Sequence, residues 1–193
     1  MSEAPTLLDR VEAIDRSVFD VVARWESPVL DRVMPGLSTA ASYSRIWMAI
    51  AALLAVFGGR KGRRTAIEGM AAIGATSFLA NVVLKGLTRR TRPTDPVPEE
   101  RRLRQPESSS FPSGHTASGA AFSGVVGRSY PALSLPLNAL AGAIGFSRVY
   151  TGVHYPGDVA AGWLLGKGVA FGVSRVGKRI GFLIDDPSGA PLE

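Results

Sequence analysis

The sequence predicts an all-α, membrane-embedded bundle of about five transmembrane helices, preceded by an amphipathic helix near the N-terminus. Long stretches of the chain contain almost no charge, and the charged residues crowd between them. Many of the 22 glycines lie inside these apolar stretches, where small residues let helices in a bilayer approach closely. No segment of useful length shows the alternation of apolar and polar residues that is typical of strands.

The N-terminal region, residues 1–32, contains the amphipathic helix. Apolar residues recur at helical spacing over residues 6–25: Leu7, Leu8, Val11, Ile14, Val18, Val21, Val22 and Trp25. Two interpretations stay open, a surface helix packed on a core and a helix lying in the membrane interface. The region carries too many acidic residues for a secretory signal peptide.

Five apolar segments follow, at residues 43–58, 65–87, 114–128, 132–147 and 157–174. A spanning helix needs about 20 apolar residues. Only the second and fifth segments reach that length, and they carry Glu68 and Lys167 respectively. In a membrane both charges would face the bundle interior, where they could pair. The alternative is a soluble, all-helical protein whose apolar helices are buried.

The chain of 193 residues suggests a single domain. Residues 43–184 form its predicted helical core and residues 185–193 a flexible tail. Two connections stand out: a tight basic turn at 59–64, and a long polar loop at 88–112. A loop of that length is usually functional or disordered.

The net charge of +6 indicates anionic partners, which include nucleic acid, an anionic membrane surface and phosphate-bearing substrates. Nucleic acid is disfavoured because no aromatic residues interleave with the clustered arginines to stack on bases. The absence of cysteine excludes disulfides and thiolate metal sites.

Three clusters combine residues suited to gripping phosphate, and each lies at the end of an apolar segment. The first runs from Lys85 to Arg92-Pro93. Seven residues are two helical turns, so Lys85 and Arg92 can point the same way, and Pro93 places Arg92 at the helix end. Arginine offers phosphate a planar fork and lysine a point charge. The other arginines of this region fit a solvated basic surface: Arg89, Arg90, Arg101, Arg102 and Arg104.

The second cluster is Pro112-Ser113-Gly114-His115. Ser113 is a good N-cap for the helix that follows. The free N–H groups of Gly114 and His115 would then form an anion site at the helix N-terminus, and glycine lets phosphate approach the backbone. His115 could give or take a proton there.

The third cluster runs from Ser147-Arg148 to His154 and Asp158. Pro156 suits the first position of a helix, so Asp158 falls in the first turn and can accept a hydrogen bond from His154. Such a contact fixes the ring tautomer, as in catalytic triads. The chain has only two histidines, and each lies in one of these clusters. Metal ligation is weakly supported, because no third ligand has a recognised spacing; we therefore expect no metal and no cofactor.

Together the clusters resemble the signature of the type 2 phosphatidic acid phosphatase superfamily, whose pattern is Lys-x6-Arg-Pro, Pro-Ser-Gly-His and Ser-Arg-x5-His-x3-Asp. Every position is matched in order between residues 85 and 158. The resemblance implies that His154 attacks phosphorus to form a phosphohistidine while Asp158 orients it. It implies that His115 protonates the leaving oxygen and then helps activate water. The phosphoryl oxygens would be held by Lys85, Arg92, Ser113, Gly114 and Arg148.

The apolar helices favour the lipid phosphatase branch of that superfamily over secreted acid phosphatases and larger vanadate-dependent haloperoxidases. The implied substrates are isoprenoid or polyprenyl diphosphates, polyprenyl-phospho-sugar phosphates, phosphatidic acid and phosphatidylglycerol phosphate. Two other functions stay open: a vanadate-dependent oxidoreductase, and a non-catalytic membrane protein that binds lipid phosphates. The motifs do not choose the substrate or the oligomeric state.

The orientation in the membrane follows from the basic residues opposite the three clusters: Arg60, Lys61, Arg63, Arg64, Arg128, Arg175, Lys178 and Arg179. The positive-inside rule makes that face cytoplasmic. We therefore expect an integral protein of the plasma membrane whose active site faces outward.

Overall fold

The computed structural model describes residues 6–94 and 97–185, and every regular element among them is helical. Eight α-helices follow one another: α1 (Leu7–Ala23), α2 (Pro28–Ala40), α3 (Arg45–Phe57), α4 (Gly59–Phe78), α5 (Lys85–Thr88), α6 (Gly114–Ser129), α7 (Pro131–Tyr150) and α8 (Pro156–Asp185). A π-helical segment, Leu79–Leu84, joins α4 to α5, and 3₁₀ turns lie at Ser42–Ser44 and Glu99–Arg101. The predicted all-α fold is confirmed. Of the predicted tail, all but Asp185 lies outside the described residues.

The bundle is built around α6, which has ten buried residues among its 16. Helices α4, α7 and α8 pack against it. On α8, a Cβ added at Gly162 or Gly166 would collide with the backbone of α6. Glycines four residues apart therefore let the two helices touch backbone to backbone, as small residues do in membrane bundles.

Two helical runs are long and apolar enough to cross a membrane, the continuous run Gly59–Thr88 and α7. Helix α2 and the run Ser42–Phe57 qualify together as a third span, bent by 63°. Helix α7 reaches 20 residues because it continues through Tyr150, beyond the apolar segment at 132–147. The helical membrane bundle is confirmed, whereas the number of five spanning helices stays a prediction.

Two local expectations are wrong. Residues 59–64, predicted as a basic turn, form the first turns of α4. The chain turns between α3 and α4 at Gly58 and Gly59, and Gly59 has a φ of +59°. The two charges within the long apolar segments do not pair with each other. Glu68 lies 3.0 Å from Arg64 Nε, and the Lys167 ammonium donates to Asn138 and Ser123. Glu68 therefore pairs within its own helix, and Lys167 donates to residues of the neighbouring helices α6 and α7.

Helix α1 turns its apolar stripe away from the protein. Five residues of the stripe are exposed: Leu7, Val11, Ile14, Val18 and Val21. Beside this stripe, Phe19 and Asp15 are buried against the bundle, and Val22, the stripe residue nearest to them, packs there as well. An exposed apolar stripe on an amphipathic helix is typical of a helix lying in a membrane interface, so the structure favours this second interpretation of residues 6–25.

Candidate active site

One end of the bundle encloses a cavity of about 520 Å³. It is formed where α5, α6 and α7 end or begin, beneath the loop that joins α5 to α6. Residues of all three predicted clusters line it: Lys85, Arg92, Gly114, His115, Arg148 and His154. The tertiary structure therefore brings together residues as far apart in sequence as Lys85 and His154.

Arg92 reaches the cavity from the loop and not from a helix end. The helix ends at Thr88, since Arg89 has a left-handed backbone with φ +44°. The expected alignment of Lys85 and Arg92 on one helix face is therefore wrong. Arg92 is nonetheless fixed, because its guanidinium donates to four backbone carbonyl groups, those of Pro106, Ser108, Ser109 and Val153.

Lys85 is held by a residue that the sequence clusters did not include. Its ammonium donates to Asn81 Oδ1 over 2.9 Å. Asn81 lies in the π-helical segment and lines the cavity. Its amide also lies beside Gly114, where an added Cβ would be 3.3 Å from Oδ1. Asn81 precedes Lys85 by four residues, a spacing at which helical side chains meet, so this signal was available in the sequence.

His154 and Asp158 form the expected pair. His154 Nδ1 lies 3.4 Å from Asp158 Oδ2, and both side chains are buried. The carboxylate also accepts from Ser110 Oγ at 2.5 Å and from the backbone N–H of Tyr155 at 2.9 Å. With Nδ1–H facing the carboxylate, Nε2 faces the cavity, 3.4 Å from Arg92 Nη1. In this tautomer the lone pair of Nε2 accepts the long hydrogen bond from Arg92 at the wall of the cavity.

Burial lowers the pKa of His154 to about 4, aided by Arg148 and Arg92 and opposed by the hydrogen bond to Asp158. The ring is therefore neutral at pH 7 and gains its proton only well below the pH at which an ordinary histidine does. In ¹⁵N-histidine NMR of the detergent-solubilised protein, we expect His154 to remain a neutral Nδ1–H tautomer from pH 8 down to about 5.5. The chain has two histidines, so His115→Gln assigns the signals. An imidazolium signal from His154 at pH 6 would contradict the expectation.

Asp158 has a second charged partner, Arg90. Arg90 Nη1 lies 2.8 Å from Asp158 Oδ1, and Nη2 lies 2.6 Å from Asp15 Oδ2 on α1. Asp15 also accepts from the backbone N–H of Gly157 over 2.6 Å. The N-terminal helix is thereby tied to the residue that orients His154. Sequence reasoning missed this contact, because Asp15 and Asp158 are far apart along the chain.

Arg90 and Arg101 were expected at a solvated basic surface, and the structure corrects this. Arg101 is fully buried. It stacks 4.2 Å above the Tyr150 ring, pairs with Asp31 at 3.5 Å and donates to backbone carbonyl groups at the end of α1. A guanidinium can satisfy so many acceptors at once because it has five N–H donors. Both arginines anchor the long loop over the cavity.

Helix α6 begins at Gly114 with Ser113 as its N-cap, as predicted. The Ser113 hydroxyl does not cap the backbone; it accepts from Thr116 Oγ1 over 3.0 Å and is fully buried beside the cavity. His115 faces the cavity, and its buried Nε2 has no hydrogen-bond partner among the described residues. A buried, unpartnered ring nitrogen is costly, and a bound phosphate ester would supply the missing partner.

Arg148 lies at the end of α7 and is almost fully buried. Its Nη1 donates to the buried Ser38 hydroxyl of α2 over 2.5 Å, and its Nε has no partner among the described residues. Ser38 is a further site residue that the motifs did not reveal. The remaining donors of Arg148 are available to an anion in the cavity.

The wall of the cavity is apolar on the side of α3 and α4. It consists of Trp47, Met48, Met70 and Ile73. Ser77 and Ser118 line the cavity between this apolar wall and the cationic residues, and their hydroxyl oxygens lie 3.4 Å apart. One end of the cavity therefore suits a phosphate group, and the other suits the apolar part of a larger molecule.

A model of the PAP2 superfamily matches residues 66–181. The chain is 35% identical over 174 residues to a decaprenylphosphoryl-5-phosphoribose phosphatase of Mycobacterium tuberculosis, covering 86% of this chain and 94% of that protein. It is 29% identical over 183 residues to phosphatidylglycerophosphatase B of Bacillus subtilis, covering 88% and 86% of the two chains.

Solved structures show the same architecture. A transmembrane PAP2-type phosphatidylglycerolphosphate phosphatase from Bacillus subtilis superimposes with a TM-score of 0.72 at 25% identity, over 89% of this chain and 88% of that chain. LpxE of Aquifex aeolicus gives a TM-score of 0.68 at 23% identity, over 84% and 95%, which indicates a shared fold.

Proposed function

The chain belongs to the PAP2 superfamily and is a membrane lipid phosphatase, and from this premise we propose that it hydrolyses the phosphomonoester of a polyprenyl-phosphate-linked pentose phosphate. The single observation that carries the proposal is the two-sided cavity. Three cationic side chains and two histidines line one side of it, and apolar side chains line the other. The decaprenylphosphoryl-5-phosphoribose phosphatase, whose name specifies such a substrate, aligns with 86% of this chain at 35% identity.

The first step forms a bond between His154 Nε2 and phosphorus while the bond from phosphorus to the ester oxygen breaks. His115 takes up a proton when the anionic phosphate ester binds beside it, and it gives this proton to the ester oxygen, so the alcohol leaves neutral. Asp158 holds the proton on His154 Nδ1 and stabilises the positive charge that the ring acquires. Lys85, Arg92 and Arg148 offset the charge on the three equatorial oxygens, which is the main requirement of phosphoryl transfer.

The second step releases phosphate. Water attacks phosphorus opposite the P–N bond and gives a proton to His115, and the bond to His154 breaks. His154 and His115 thereby recover their starting states. The backbone N–H of Gly114, at the positive end of α6, adds a donor to the phosphoryl oxygens, while Ser113 supports that turn from below.

The proposed substrate fits the order of side chains along the cavity. Beyond the cations, Ser77, Ser118 and Asn81 offer hydrogen bonds suited to sugar hydroxyls. The apolar side chains that follow suit the first isoprene units, and α1 with its exposed apolar stripe lies near this end of the protein. The lipid would enter from the membrane interface.

The basic residues at the opposite end of the bundle support a plasma-membrane protein whose active site faces outward. Arg60, Lys61, Arg63 and Arg64 begin α4, and Arg128 ends α6, at the end remote from His154.

A substrate panel tests the proposal. The purified protein, in detergent with a chelator, is given a polyprenyl-phosphoryl pentose phosphate, a polyprenyl diphosphate, phosphatidylglycerol phosphate and phosphatidic acid. We expect the first to be hydrolysed with a kcat/KM at least about tenfold above the others, since a site built to bind hydroxyl groups discriminates against substrates that have fewer of them or none.

Two controls sharpen the panel. Ser77→Ala should lower kcat/KM for the sugar substrate more than for phosphatidic acid, and soluble pentose phosphate should be a poor substrate because it lacks the lipid. A preference for one of the other three lipids would overturn the proposed substrate while leaving the phosphatase activity intact.

A further inference from the structure

A second cavity lies at the other end of the bundle, between α4, α6 and α8. Its volume is about 630 Å³, within the range of small-molecule sites. Five cationic side chains and one carboxylate line it: Lys61, Arg64, Arg128, Arg175, Lys178 and Glu68. Lys61 and Lys85 are 24 residues apart on one helical run, so this cavity is roughly 35 Å from the active site.

Most of this positive charge is not neutralised by the protein. Arg64 pairs with Glu68 at 3.0 Å. Among the described residues, the other four cations have no carboxylate within salt-bridge distance. Lys61 lies 4.6 Å from the centre of the Tyr130 ring, and Arg128 and Arg175 both face Phe171. Their aromatic neighbours hold these side chains around the cavity without neutralising their charge.

Ser174 supplies an independent sign of a missing ligand. It lines the cavity and is only 8% exposed. Its hydroxyl oxygen is buried and has no hydrogen-bond partner among the described residues. Buried hydroxyl groups are nearly always hydrogen-bonded, and an oxygen of a bound anion would accept from this one.

The surroundings of the cavity identify the anion as part of a lipid. Phe171 and Val176 of α8 and Ile67 of α4 are large apolar residues exposed on the outside of the bundle near the cavity. Such side chains can contact acyl chains, and basic pockets between membrane helices bind anionic headgroups. We propose that this cavity binds the phosphate headgroup of an anionic phospholipid in the leaflet opposite the active site.

Native mass spectrometry of the full chain tests this with dioleoyl-phosphatidylglycerol and, as the neutral counterpart, dioleoyl-phosphatidylcholine. Arg128→Gln/Lys178→Gln removes two charges from the cavity. Arg60→Gln/Arg63→Gln removes two exposed charges from the same end of α4, outside the cavity. We expect the first pair to weaken phosphatidylglycerol binding roughly tenfold or more, and the matched pair to change it less than about twofold. Equal weakening by both pairs, or none by either, would overturn the site.

A thermal-shift arm with inorganic phosphate distinguishes a lipid from a soluble anion. We expect stabilisation by phosphatidylglycerol that is lost in Arg128→Gln/Lys178→Gln. Millimolar phosphate can bind the active site, so the stabilisation that it gives should be the same in this double variant as in the wild type. Stabilisation by phosphate that disappears in Arg128→Gln/Lys178→Gln would overturn the assignment to a lipid.

Phosphatase activity in detergent should be unchanged in both double variants, which shows that they are folded and separates this site from the catalytic one. If Arg128→Gln/Lys178→Gln loses activity, lipid binding is instead measured for the single variants Arg128→Gln and Lys178→Gln, each compared with the wild type. A failure of the substrate panel leaves this test unaffected, because phosphatidylglycerol is a phosphodiester and needs no turnover.

Discussion

Replacing His154 with asparagine should lower kcat for lipid phosphate hydrolysis by about three orders of magnitude or more, because it removes the atom that bonds to phosphorus. Asparagine is smaller than histidine, but its amide can still donate to the Asp158 carboxylate, so the buried position stays polar. The measurement is phosphate release by the purified variant in detergent with a chelator present. Turnover by the variant at the wild-type rate would exclude His154 as the nucleophile.

His115→Asn provides the matched control, since it changes the other histidine and leaves the nucleophile in place. If His115 protonates the leaving oxygen, its loss should matter much less for an activated aryl phosphate, whose leaving group needs no proton. The His154 variant should be inactive towards both kinds of ester. Denaturing the His115 variant in alkaline detergent during turnover of a ³²P-labelled aryl phosphate should also trap a phosphoenzyme that is stable in alkali and labile in acid, because hydrolysis of the intermediate is slowed. Equal losses on both esters would contradict the division of roles.

Replacing Asp158 with asparagine should have the second largest effect, a fall in kcat on the order of 10³. The amide keeps the shape of the carboxylate but removes the charge that holds the proton on His154 Nδ1 and stabilises the charged ring. It also withdraws one of the two carboxylates that flank Arg90. We expect the free energy of unfolding to fall by about 2 kcal/mol, less than for breaking a fully buried pair, since Arg90 keeps Asp15.

Asp15→Asn separates the two effects of the Asp158 substitution. Asp15 touches Arg90 and the backbone of Gly157 but no cavity-lining side chain. We expect a comparable loss of thermal stability with only a modest loss of kcat. The two variants are compared by thermal unfolding and by steady-state kinetics in the same detergent. A fall in kcat as large as that of Asp158→Asn would instead place α1 in the catalytic machinery, and wild-type activity of Asp158→Asn would exclude its orienting role.

The sequence predicted the helices well, because apolar segments and their glycines are local properties. The segment at 114–128 corresponds to α6 to within one residue, and the segment at 43–58 contains α3. It failed where length depends on context: α7 continues past the predicted end at 147, through the charged Arg148 to Tyr150, because these residues are buried against other helices. The loop predicted at 88–112 begins where the helix ends, at Thr88, but the placement of Arg92 at a helix end was wrong, since the left-handed Arg89 has no clear sequence signal.

The candidate site likewise contains residues that the sequence predicted and residues that it did not. The motif residues could be identified because phosphate chemistry restricts which residue types can serve at fixed spacings. Of the residues that hold them, Asn81 could be found from its spacing to Lys85. The others could not: Ser38 on α2, and Arg90 and Ser110 in the loop. These are ordinary polar residues, and only their contacts distinguish them from solvated ones.

By itself, then, the sequence determined the helical membrane class, the family and the eight residues proposed to act on phosphate, because periodicity and motif spacing are written along the chain. Only the tertiary structure decided that α1 is tied through Asp15 and Arg90 to Asp158, that the arginine-rich loop lies over the cavity, and that a second basic cavity lies at the far end. The physical reason is that such contacts join residues distant in sequence. A charge pair between distant residues produces no periodic pattern along the chain from which it could be predicted.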